Sequence, residues 1–140
     1  VATELLSKNK KEIKIAIDSN FLMAIAKQKV DVMNEIKNMF GKNALIAVTQ
    51  STLNELIKLK QKNALKKQCV IALSAIENSK AKILEEYSGF ADNDLFALSK
   101  KNWIIATNDY ELKKRISVTK GKLIFLRQNR FIESNFEEVA

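Results

Sequence analysis

Five short apolar runs, separated by longer stretches of helical period, constrain this chain more than any other feature. Ile13–Ile17 (IKIAI), Ala44–Val48 (ALIAV), Ala81–Leu84 (AKIL), Trp103–Ala106 (WIIA) and Lys122–Leu126 (KLIFL) read as strands. Unbroken apolar runs of this length suit strands buried on both faces of a parallel sheet. Between them, Val32, Met33, Ile36, Met39 and Phe40 recur at helical spacing, and Gly41 stands where a helix stop belongs. Leu53, Leu56 and Ile57 form a second stripe, and Leu65, Cys69, Ala72, Leu73 and Ile76 a third. Asp92–Lys101 and Asp109–Ile116 read as two further short helices. The order β-α-α-β-α-α-β-α-β-α-β predicts an α/β fold: a mainly parallel five-stranded sheet between two helical layers. The tail after Gln128 reads as a short helix or a frayed end.

With 140 residues, the chain fits one domain, residues 1–12 being an N-terminal extension and 128–140 a C-terminal tail. A chain of this size buries roughly two thirds of its unfolded surface and needs no staple. Its single cysteine, Cys69, is expected to fill core space. Histidine is absent, which removes histidine triads, imidazole acid–base catalysis and zinc sites built on histidine. Three glycines and no proline leave no glycine-rich phosphate loop. No apolar run approaches the ~20 residues that span a bilayer. The opening VATELLSKNKKEIK lacks a signal-peptide core, so a cytoplasmic protein with no membrane partner is expected. A net charge of +8 favours anionic partners, nucleic acid first.

In open α/β sheets, ligands gather at the carboxyl ends of strands. Asp18 directly follows the first strand, and Asp109 follows the fourth. Asp92 opens a helix after the third, and Glu55 lies one turn into the helix after the second. Each has a plain alternative. The three aspartates sit where helix caps are expected, and Glu55 could be a first-turn acid favoured by the helix dipole. Caps alone do not explain why the loops after strands one, three and four all carry Asp.

The segments IAIDSNFL, LNELIKL, ADNDLFAL and IIATNDYELKKRI, in this order and spacing, resemble the motifs of the PIN-domain nucleases over about Lys14 to Phe131. The resemblance implies an acidic quartet, Asp18, Glu55, Asp92 and Asp109, serving as catalytic and metal-binding residues. It implies that Asn20, Thr107 and Asn108 position the acids or a bound water. One departure stands out: the second acid of the family's Ala-Asp-Asp motif is Asn93 here, which leaves Asp94 as an auxiliary metal ligand. Clustered carboxylates repel unless a cation lies between them, and an all-oxygen donor set suits Mg²⁺ or Mn²⁺. The implied activity is metal-dependent endoribonuclease hydrolysis of RNA, leaving a 5′-phosphate and a 3′-hydroxyl. Asp18 and Asp109 would hold the principal metal, with Glu55 and Asp92 completing the site.

The basic residues then fall into place as phosphate contacts: Lys58, Lys60, Lys62, Lys66 and Lys67 after Glu55, Lys113, Lys114 and Arg115 after Asp109, and Arg127 and Arg130 after the last strand. A solvated helix face is the alternative for each lysine. Trp103 and Phe125 read as core. Two roles compete within the family: RNA processing, as in archaeal and eukaryotic ribosomal-RNA nucleases, and a VapC-like toxin held by an antitoxin. The motif details lean toward the first. A PIN fold that binds RNA or protein without cutting is the remaining alternative. Expected partners are RNA, a second copy of the chain, and an antitoxin or a ribosome-assembly partner.

Overall fold

The computed structural model describes residues 12–28, 31–41, 43–85, 88–128 and 131–137. Most of the N-terminal extension, Arg130 and the last three residues of the tail lie outside these. Its elements are β1 (Lys14–Ile17), α1 (Ser19–Gln28), α2 (Val32–Phe40), β2 (Leu45–Thr49), α3 (Gln50–Leu59), α4 (Lys66–Asn78), β3 (Lys82–Leu84), α5 (Ala91–Ser99), β4 (Ile104–Ala106), α6 (Tyr110–Val118), β5 (Leu123–Arg127) and β6 (Phe131–Ser134). The five expected strands are all present, each displaced by a single residue at one or both ends.

The sheet runs in the order β3-β2-β1-β4-β5-β6. All pairs are parallel except β5 with β6. The sixth strand corrects the five-strand expectation and replaces the helical or frayed tail. Gln128 turns the chain with φ +53°, and Phe131–Ser134 then folds back along β5. An Arg127–Glu133 ion pair at 2.8 Å spans this hairpin.

Residues alternate strictly across the sheet, as a period of two requires. Ile15, Ile17, Ile46, Val48 and Ile124 face a layer containing Phe21, Ile36, Leu56 and Ile76 from α1 to α4. Ala16, Ala47, Ile105 and Leu123 face Leu95, Leu112 and Ile116 from α5 and α6. Cys69 is buried, as expected of a core filler, with Sγ 3.6 Å from Met23 Sδ. Trp103 is buried too, whereas Phe125 is only partly covered. Among the described residues, no helix is long and apolar enough to cross a membrane.

Local signals set the helix starts. Thr49 caps α3 by accepting the Thr52 N–H, and Asp109 caps α6 by accepting the Leu112 N–H at 2.8 Å. Gly41 ends α2 at φ +91°, a conformation that side chains disfavour.

The chain builds outward from β1 in both directions. β2 and β3 lie on one side, β4 and β5 on the other. The strand order therefore reverses between β1 and β4, and a crevice opens beyond their carboxyl ends.

Candidate active site

That crevice is where the acids gather. Asp18 leaves β1 directly over it, and its backbone N–H extends the ladder to the Ala106 carbonyl of β4 at 2.9 Å. The side chain is only 3% exposed. One carboxylate oxygen, Oδ1, accepts the Ser19 N–H at 2.8 Å, and Oδ2 accepts the Thr107 hydroxyl at 2.7 Å. Burial first, and then the negative charges of Asp92 and Glu55, raise its pKa from 3.8 to about 6 against the pull of those two hydrogen bonds.

Glu55 projects from the middle of α3, where Oε1 accepts the Ser19 hydroxyl at 3.0 Å. Ser19 thus ties Asp18 and Glu55 together, with its amide on one acid and its hydroxyl on the other. Asp92 stands in the first turn of α5, not at its cap, which is Phe90. Its pKa is also raised, first by burial and then by the charge of Asp109, while Arg115 pulls it down. Glu55, Asp92 and Asp109 line one cleft of about 660 Å³ together with Ser51, Asn54, Lys58, Phe90, Asn93 and Arg115.

The quartet expected from the sequence is therefore drawn to one end of the sheet from four separate loops and helices. Its members sense each other's charge, although no three acids among the described residues converge as a ready-made ion cage. The donor set fits a hard divalent cation. Asp18 is held by a backbone N–H and a hydroxyl with two further carboxylates close enough to raise its pKa, so a cation would relieve it.

The polar neighbours divide. Thr107 is completely buried and accepts the Asp109 N–H at 3.1 Å while donating to Asp18, so one hydroxyl links two acids. Asn20 Oδ1 receives the Asn108 N–H at 3.2 Å and lies 3.3 Å from the Thr107 hydroxyl. The Asn108 side chain faces the other way, its Oδ1 accepting the Leu126 N–H of β5 at 2.8 Å. Asn108 braces the loop rather than an acid.

Asp94, read from the sequence as an auxiliary ligand, is occupied by the protein itself. Oδ2 accepts the Ser51 hydroxyl at 2.6 Å, and Oδ1 accepts the Ser88 N–H at 2.7 Å. The substituted position, Asn93, accepts a hydrogen bond from Arg115 Nη1 at 2.8 Å.

Of the expected RNA contacts, Lys58 and Arg115 line the cleft. Arg115 also lies 4.0 Å over the Phe96 ring, and Lys114 joins it in an adjoining groove between α5 and α6. Lys113 lies over Phe125, and Arg127 is paired with Glu133. Lys62 lies beyond α3 and is exposed. Sequence reasoning missed Ser19 and Ser51, whose partners lie 36 and 43 residues away. It also missed Phe90, an exposed aromatic in the cleft wall.

Comparison with known proteins bears on the fold and the family. A family model described as a PIN like domain matches residues 15–129. Ribonuclease VapC4 of Methanocaldococcus jannaschii is 30% identical over 126 residues, covering 86% of this chain and 95% of its own. The solved structure of the PIN domain endonuclease Utp24 superposes with a TM-score of 0.73 at 22% identity, covering 89% of this chain and 92% of its own. The fold and the matched span agree, and the chain belongs to the PIN-domain nuclease family.

Proposed function

We propose that this protein is a metal-dependent endoribonuclease that hydrolyses RNA phosphodiester bonds at the cleft beyond β1 and β4. The observation that carries the reading is Asp18. A carboxylate buried at a strand end, held by two donors and crowded by two further acids, costs stability near neutral pH that a bound cation would return. The kinship with Ribonuclease VapC4 supports RNA as substrate.

Asp18, Glu55, Asp92 and Asp109 would hold Mg²⁺ or Mn²⁺, which supplies charge stabilisation for the phosphodiester and an activated water. The protein's own contribution is positional. The Ser19 amide and Thr107 hydroxyl fix both oxygens of Asp18, so the carboxylate is set before substrate arrives. The Ser19 hydroxyl holds Glu55 in the same way. Lys58 and Arg115 offer positive charge to the phosphates on either side of the scissile bond. Hydrolysis then joins the water oxygen to phosphorus and breaks the bond to the 3′ oxygen. The water proton ends on that oxygen, giving a 3′-hydroxyl and a 5′-phosphate.

The decisive experiment is cleavage of single-stranded RNA with Mn²⁺ or Mg²⁺ by the parent and by Asp18→Asn. Cleavage by the parent alone supports the reading. Equal cleavage by both, or none by the parent, overturns it.

Within this activity we favour RNA processing in the cytoplasm, as the motif details suggest. A VapC-like toxin is the second reading, and the VapC4 relative favours it. Growth arrest on expression, relieved by the product of an adjacent gene, would decide for the toxin.

A further inference from the structure

Phe90 is 69% exposed at the wall of the carboxylate cleft. Two physical preferences are set aside there. A buried phenylalanine would contribute hydrophobic stabilisation that this ring does not give. Phe90 also occupies the N-cap of α5, where Ser, Thr, Asp or Asn is favoured, and its side chain makes no capping bond.

The ring is not the loose end of a free loop. The Phe90 N–H donates to the Ser88 hydroxyl at 3.3 Å, and the Phe90 carbonyl accepts the Asp94 N–H at 3.1 Å. The Ser88 N–H is held by Asp94 Oδ1, and Asp94 Oδ2 is held by Ser51 at the start of α3. Gly89, at φ +98°, makes the bend that carries the chain into this arrangement. Asp94 thus anchors the 88–90 segment to the helix that bears Glu55, and the ring is presented to solvent on a fixed backbone.

The surroundings specify the occupant. Lys58 and Arg115 bring positive charge into the same cleft, with Asn54 and Asn93 beside them. Phosphate-binding cations beside an exposed aromatic face suit single-stranded nucleic acid, because every unpaired base offers a π face. Bases inside a duplex offer none.

We propose that Phe90 is a stacking platform for an unpaired base of the RNA whose phosphodiester enters the cleft. This rests on the ribonuclease reading. It assigns Asp94 a positioning role: the strut that fixes the platform.

The test measures binding of a mixed-sequence RNA strand without self-pairing, of an abasic ribose-phosphate strand of equal length, and of a blunt RNA duplex. The Asp18→Asn background keeps the strands intact. Phe90→Ala and Phe90→Leu should each weaken binding of the single strand about tenfold, with binding of the abasic strand unchanged. Phe90→Trp should bind the single strand at least as tightly, its added fluorescence quenched by the stacked base. Equal affinity in Phe90→Ala, parent-like affinity in Phe90→Leu, or an equal loss toward the abasic strand overturns the proposal. So does parent-level preference for the duplex, or a change in oligomeric state on removing the ring, which would mark a contact between protein chains. Cleavage by chains retaining Asp18 separates the two readings. Stacking without any cleavage sinks only the ribonuclease assignment, and cleavage indifferent to Phe90 sinks only the platform.

Discussion

The Thr107 hydroxyl donates to Asp18 Oδ2 at 2.7 Å across 89 residues of chain, joining the carboxyl ends of two neighbouring parallel strands. The same oxygen accepts the Asp109 N–H at 3.1 Å. Thr107→Val keeps the shape but strips Asp18 of a donor and leaves the Asp109 amide unsatisfied. The cost should be about 1–3 kcal/mol in urea unfolding, with cleavage reduced at least tenfold. Thr107→Ser, which keeps the hydroxyl, should stay near the parent in both. A parent-like Thr107→Val would show that the hydroxyl positions nothing.

Asp18→Asn should abolish cleavage yet stabilise the metal-free protein. The asparagine can still accept the Ser19 N–H. Its Nδ2 can donate to Thr107, whose hydroxyl can turn to Asn20 Oδ1 at 3.3 Å. The charge penalty of Asp18, whose pKa rises from 3.8 to about 6, disappears with the substitution. Near pH 7.5 the gain should be on the order of 2 kcal/mol. The folded state holds the Asp18 proton more tightly than the unfolded state, so the parent's stability falls as pH rises through this window. The parent and variant curves should therefore meet below about pH 4 and separate up to about pH 6. Urea melts across that range would expose an error in sign.

Divalent metal should restore what Asp18 costs. Mn²⁺ at a hundredfold excess over its dissociation constant should stabilise the parent by about 2.7 kcal/mol. The melting-temperature shift should shrink at pH 5, where protons compete for Asp18, and vanish with chelator. Asp18→Asn should show little shift. An equal shift in both proteins would place the metal elsewhere.

The fold was legible because its signals are local and periodic. IKIAI and WIIA are buried on both faces, and the helical stripes and Gly41 mark where the chain changes period. β6 was not legible. FIES lies at the sheet edge, half exposed, and its pairing depends on the positive φ of Gln128 and on Glu133 meeting Arg127. Asp18 and Asp109 stood out because strand ends are where an open sheet places its ligands. The task of Asp94 was hidden, since its identity as an acid says nothing of the Ser51 hydroxyl and Ser88 amide that fold against it. Phe90 has no periodic signature at all. An aromatic after Gly89 and directly before an acidic motif was the one available hint.

Ser51→Ala tests that hidden strut. It leaves Asp94 Oδ2 buried without its 2.6 Å donor and removes one partner of the Thr49 hydroxyl, 2.9 Å from Ser51 Oγ, which keeps its bonds to Thr52. The loss should be about 1–3 kcal/mol of stability, since a buried side-chain acceptor is deprived of its partner. Asp94→Asn in the Ser51→Ala background should add less than it does in the parent, because the two residues act through one hydrogen bond. Full additivity in a double-mutant cycle would show that the contact carries no energy.

Gly121→Ala provides a contrast far from this chemistry. A Cβ at Gly121 would lie 2.5 Å from Ile116 Cγ2 and 3.3 Å from the Ile116 carbonyl. Ile116 is completely buried, and its γ-methyl sits on a branched carbon that cannot swing aside. The substitution must push α6 away from the start of β5, at a cost of about 1–3 kcal/mol. Asp109 caps the opposite end of α6, so the strain is taken up seven residues or more from that acid along the chain. Thermal melting should therefore fall by several degrees while the cleavage rate measured well below the transition stays near the parent value. A large loss of cleavage at that temperature would mean that α6 moves as one rigid rod and carries Asp109 with it.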